Sequence, residues 1–289
     1  MSTTVSEPTP ERAPLVVAAA DRPRTGVPRV ERAVRIVAPL TISVLVLALW
    51  ELMVRVNDIP HYILPGPLLV LQSLIADWDT LWPSLLVTLQ ITFMALAVAT
   101  VGGVGLAILF TASKWLELSL FPFAVILQVT PIIAIAPLIL IYVDNVHLAL
   151  LICAWIVAFF PILSNTTLGL NSADHNLRDL FQLYGASRWQ TLRHLRLPSA
   201  MPYFLGGLKI AGGLSLIGAI VAEFAAGTAG TGSGLAYRIL EAGYRLNIPR
   251  MFAAVILISA TGILIFMAFT LLAHLVLRRW HESALRRER

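Results

Sequence analysis

Apolar residues in this chain come in runs too long for a half-buried strand and too continuous for the one-sided stripe of a surface helix. Five runs contain no Asp, Glu, Lys or Arg: Ile36 to Trp50 (extendable past Glu51 to Val56), Thr80 to Ser113, Leu118 to Val143, Asn145 to Ala173 and Met251 to Leu277. A sixth, Pro202 to Ala226, is interrupted only by Lys209 and Glu223. A hydrocarbon layer of about 30 Å is crossed by roughly 20 apolar residues in a helix. The alternation of an outer-membrane strand is missing from these runs, so the spans are helical. The pattern predicts an all-α integral membrane protein with six transmembrane helices.

The polar segments refine this picture. Residues 1–33 are polar and proline-rich, and predict a disordered tail rather than a cleaved signal peptide, leaving the first span as an uncleaved anchor. Leu64-Pro65-Gly66-Pro67 followed by Leu68 to Ile75, Trp78 and Trp82 predicts a turn and a short helix along the outer interface, where Trp is enriched. Residues 281–289 form a C-terminal tail, and the body of the protein runs from 34 to 280.

Composition agrees. Of 289 residues, 58% are hydrophobic and 13% charged, well under the roughly one quarter expected of a soluble domain. The net charge of +5 does not point to nucleic acid, because the basic residues fall between apolar runs instead of on one soluble face. Summed over alternate segments, 16 of the 21 basic residues lie on one side, which by the positive-inside rule puts both termini in the cytoplasm. Cys153 is the only cysteine, so internal disulfides and cysteine metal cages are excluded.

The most informative segment is the loop of residues 171–198 between the fourth and fifth spans. A helix is expected to end at Tyr184, Gly185 to reverse the chain, and Ser187 to cap a second helix running to Pro198. That second helix is amphipathic, with Trp189, Leu192 and Leu195 or Leu197 on one face and Arg188, Arg193 and Arg196 on the other. Such a basic helix can simply rest on anionic lipid.

The spacing adds a second reading. Asp179, Gly185, Leu195, Leu197 and Pro198 stand at intervals that resemble the EAA loop of inner-membrane permease subunits of binding-protein-dependent ABC importers. Asp179 takes the place of the usual Glu, and Leu180 and Phe181 replace the two alanines. Leu64-Pro65-Gly66-Pro67, Thr130 to Leu138, Phe159 to Ile162, Ile217 to Glu223 and Gly232 to Tyr237 are similar to the nitrate, sulfonate and taurine permease branch, which also has relatives carrying pyrimidine-type precursors.

The resemblance implies a chain used twice around one pathway. Two cytoplasmic ATP-binding subunits would bind ATP and Mg and drive it, and a periplasmic binding protein would deliver a small solute. The chain would hold no cofactor or metal of its own and would not be an enzyme, and no lysine stands in a P-loop context. Asp179, Gly185, Ala186, Arg188, Leu195, Leu197 and Pro198 would couple to the ATPase, at the inner membrane of a bacterium.

Polar groups within spans are candidates for the pathway: Gln128, Thr130, Asn165, Ser215 and Glu223, with Lys209 as a further one. Glu223 and Lys209 either face the pathway or snorkel to their own interfaces. Pro131, Pro137 and Pro161 are expected to break or kink the third and fourth spans. Arg238, Glu241, Arg245 and Arg250, in the loop before the last span, are polar handles for the binding protein or simply keep the loop soluble. The alternative to an importer subunit is a secondary transporter or channel working without ATPase partners. The substrate stays open among nitrate, sulfonates and a pyrimidine-like precursor.

Overall fold

A computed structural model describes residues 29–227 and 232–278. Most of the predicted N-terminal tail, the whole C-terminal tail and residues 228–231 lie outside these residues. Every element among the described residues is helical. The chain divides into two units, residues 1–49 and 50–289.

The first unit contributes the start of α1 (Arg29–Val56), whose Val37–Leu49 stretch is apolar and exposed. In the second unit follow α2 (Pro67–Ala76), α3 (Trp78–Ala112), α4 (Lys114–Val129), α5 (Ile132–Tyr142) and α6 (Val146–Asn171). After them come α7 (His175–Leu183), α8 (Arg188–Thr191), α9 (Leu197–Ala226), α10 (Leu235–Tyr244) and α11 (Ile248–Leu277). Five helices are long and apolar enough to cross a membrane, and α4 with α5 forms a bent pair that makes a sixth if counted as one span.

The core of the second unit is α6, packed between α3 and α9. Its packing depends on small residues that let backbones approach, as expected where lipid gives no hydrophobic drive for helices to associate. A Cβ at Gly207 of α9 would sit 2.8 Å from the Pro161 carbonyl of α6, and one at Gly218 would sit 2.8 Å from Ala154 Cα.

The three intramembrane prolines behave differently. Thr130 is extended before Pro131, as a residue preceding proline prefers, and α4 and α5 meet there at 101°. Pro137 lies inside α5 and Pro161 inside α6, and neither helix is interrupted there.

The fifth span also departs from expectation. Instead of a helix stopping at Pro198 and a new span beginning near Pro202, one continuous rod runs from Arg188 to Ala226. A π turn, Leu192–Arg196, joins α8 to α9, with the Leu197 N–H bonded to the Leu192 carbonyl. A proline lacks the N–H for an i−4 bond and crowds that carbonyl. The widened turn just before Pro198 absorbs this locally, so the helix does not end.

Candidate functional site

In the loop between α6 and α9, Asp174 caps α7 through a side-chain bond from Asn176 N (2.7 Å). α7 ends with Tyr184 as its cap, and Gly185 then takes φ +64°, where an added Cβ would meet nothing within 4 Å. Glycine is therefore required by the backbone and not by crowding. Ser187 opens α8 with a capping box: its hydroxyl accepts from Gln190 N (3.2 Å) while Gln190 Oε1 accepts from Ser187 N (2.7 Å). The apolar end of α7 is left bare, with Leu183 84% and Tyr184 82% exposed.

Asp179 and Arg188 are exposed, Ala186, Leu197 and Pro198 half-buried, and Leu195 is buried among the neighbouring helices. The expected division into an apolar and a basic face is altered. Arg188 and Arg196 line one cavity together with Trp189 and Leu192, since Arg188, Leu192 and Arg196 follow one another at intervals of four along the rod.

The candidate pathway residues are not gathered into one cleft. Gln128 is exposed, and three others bond within their own helices: Thr130 Oγ1 to the Ile126 carbonyl (2.7 Å), Asn165 Nδ2 to the Pro161 carbonyl (2.8 Å) and Ser215 Oγ to the Gly212 carbonyl (3.0 Å). Lys209 Nζ lies 4.0 Å from the centre of the Phe266 ring on α11, a cation–π contact.

Glu223 is different. It is 2% exposed, and each oxygen serves another element. Oε1 accepts from Thr88 Oγ1 of α3 (2.8 Å), and Oε2 accepts from the Ala236 N–H in the first turn of α10 (3.0 Å). Thr88 Oγ1 in turn accepts from the Leu235 N–H (2.9 Å). The carboxylate is thus the side-chain cap that α10 lacks in its own N-cap, Gly234, where a Cβ would overlap Glu223. A negative group at a helix N-terminus also meets the favourable end of the helix dipole.

Thr88 was not among the residues expected to matter. The signal that could have found it is Ser84, Thr88 and Thr92, buried polar residues spaced by four along one face of an apolar run.

At the same end of the molecule, Arg238 Nε donates to Ser84 Oγ (2.8 Å), and Glu241 pairs with Arg238 (2.8 Å) and Arg245 (2.9 Å). Arg250 pairs with Asp77, which also accepts from Ser73 (3.0 Å). The hydrogen bond from Arg250 holds the Asp77 carboxyl below its ordinary range, and Arg238 does the same for Glu241. Of the four polar handles, only Arg245 has a largely exposed side chain among these pairs.

Residues 99–281 match the family model described as binding-protein-dependent transport system inner membrane component. The chain is 30% identical to a probable ABC transporter permease protein of Haemophilus influenzae over 83% of its length and 97% of that protein's. It is 30% identical to the formylaminopyrimidine transport permease protein ThiX of Halalkalibacterium halodurans over 86% of this chain and 97% of the relative. A putative aliphatic sulfonates transport permease protein, SsuC of Bacillus subtilis, is 28% identical over 84% and 87%. A crystal structure of an amino acid ABC transporter with histidines shares the fold, with TM-score 0.55, 19% identity, and coverage of 68% of this chain and 92% of that one. The apolar helices agree with these likenesses, and the chain belongs to the binding-protein-dependent inner membrane component family and is a multi-pass permease subunit of an ABC importer.

Proposed function

We propose that the permease crosses the membrane six times, with α4 and α5 as one broken span and both termini in the cytoplasm. Two ATP-binding subunits beneath it bind ATP and Mg, a second copy completes the pathway, and a periplasmic binding protein delivers the solute. Asp179, Gly185, Ala186, Arg188, Leu195, Leu197 and Pro198 form or support the coupling loop. The carrying observation is the bare apolar end of α7 beside the Gly185 reversal, fused through α8 to a span without any hinge loop. Exposed Leu183 and Tyr184 fit a groove on a partner, and movement of that partner is passed to α9 as a rigid body.

At the far end of the same rod, Glu223 grips the start of α10, so the coupling loop and the outer surface are joined by one helix of about 39 residues, roughly 58 Å at 1.5 Å per residue. Gln128 and Thr130, beside the break between α4 and α5, and half-buried Asn165 contribute to the pathway at separate points, and fully buried Ser215 supports it from within α9. Glu223 acts there by holding α10 in place. The names of the relatives favour a small polar solute such as a sulfonate or a pyrimidine-type precursor.

A photo-crosslinking residue in place of Leu183 tests this reading in the assembled transporter. Crosslinks to an ATP-binding subunit that disappear when the label is moved to lipid-exposed Leu45 support it. Crosslinks to lipid alone, with no ATPase retained on purification, refute it.

A further inference from the structure

A cavity of about 500 Å³ lies where the last turn of α3 meets α7 and α8, lined among others by Thr111, Arg178, Gln182, Arg188, Trp189 and Arg196. Three arginines thus line one small space, and among the described residues none of the three forms an ion pair. Arg178 is fixed by a bond from Nη2 to the Asn171 carbonyl (2.6 Å), and its Nε is buried without a hydrogen-bond partner. Unneutralised cations crowded together are costly, and the fork of Arg matches the paired oxygens of a phosphate or a carboxylate.

The surroundings indicate where the phosphate comes from. The cavity lies at the end of a membrane span, with Ile108, Leu192 and the 64% exposed Trp189 on its wall. Apolar and indole groups flanking a basic pocket suit an amphiphile at headgroup depth. We propose that this cavity binds a phosphate-bearing anion, supplied by the headgroup of an anionic phospholipid of the adjacent leaflet. Bound there, the lipid bridges α3, α7 and α8 and steadies the coupling loop against the span. The proposal rests on the cytoplasmic placement of the loop only for which leaflet supplies the lipid.

The test uses the purified transporter in detergent, measuring its thermal midpoint against added dioleoylphosphatidylglycerol, dioleoylphosphatidylcholine or inorganic phosphate. Phosphatidylglycerol is expected to saturate at a concentration at least about tenfold below phosphatidylcholine. R196Q removes one charged donor and is expected to weaken phosphatidylglycerol about tenfold. R193Q removes the same charge from the same loop outside the cavity and leaves half-saturation within about twofold. R178K keeps the charge but loses the fork, giving an independent variant with a several-fold weakening.

A full response to inorganic phosphate, with nothing added by phosphatidylglycerol, supports the phosphate site and assigns a soluble source instead of lipid. Equal responses to the two lipids, or equal loss in R193Q and R196Q, overturn the proposal. Loss of ATPase retention in R196Q with an unchanged lipid response also overturns it, and gives the cavity to a carboxylate of the partner protein. None of these lipid titrations depends on which side of the membrane the loop faces, so this proposal and the coupling reading fail separately.

Discussion

Replacing Glu223 by alanine should release the first turn of α10 while leaving the rest of the bundle folded. The Ala236 N–H loses its acceptor and is left buried, a cost of about 1–3 kcal/mol. The vacated volume adds to this, for a total of about 2–4 kcal/mol. Thr88 is spared, because its hydroxyl can turn to the Ser84 carbonyl 3.2 Å away and still accept from Leu235. Since 1.36 kcal/mol is tenfold, opening of α10 should rise roughly 30- to 900-fold. Hydrogen–deuterium exchange of the Leu235–Tyr244 amides measures this directly. Glu223→Gln can turn its carbonyl to Ala236 and its amide to Thr88, so it should speed exchange by only about tenfold. Gly234→Ala, whose Cβ overlaps the carboxylate, should resemble Glu223→Ala. Exchange within threefold of the parent in Glu223→Ala would refute the capping role.

Three further outcomes are expected. Asp77 is held below its ordinary range by Arg250, so the link between α2–α3 and α11 is fully present above the unfolded carboxyl pKa of about 3.9 and lost as pH falls through the lower folded value. Thermal midpoints of the parent should therefore drop more steeply below about pH 4 than those of Asp77→Asn. Gly207→Val places side-chain atoms against the Pro161 carbonyl and Asn165, so it should lower stability by about 1–3 kcal/mol; an unchanged thermal midpoint in detergent contradicts close α6–α9 packing. At Gly185, φ +64° costs an L-residue about 1–2 kcal/mol. Gly185→Asn should then keep most uptake while Gly185→Val loses it, with both variants equally abundant in the membrane.

Much of this architecture is legible in the chain because the bilayer sets the length of each apolar run and forces its polar backbone into helices. The loop is legible for a local reason: Ser187, Gln190 and Gly185 act within a few residues of themselves. The break at Pro131 follows from the restriction on Thr130, whereas Pro161 is housed in a helix held on both sides by neighbours. The continuity of α8 with α9 was hidden, because a proline normally marks a helix end and only the π turn cancels that. The role of Glu223 was hidden for another reason. Its partner Thr88 lies 135 residues away, and the cap it supplies belongs to a short helix that folds back onto the spans. A buried carboxylate in an apolar run marks itself as important, but nothing in its own span says what it holds.

In the proposed coupling, force enters at the Gly185 loop and leaves through α9. The most direct test is substrate-stimulated ATP hydrolysis by the complete transporter in liposomes, with its binding protein present, for the parent and Gly185→Val. Gly185→Val is expected to abolish both uptake and the stimulation by loaded binding protein, while basal hydrolysis by the ATPase subunits persists. Normal stimulation and uptake by Gly185→Val would contradict it.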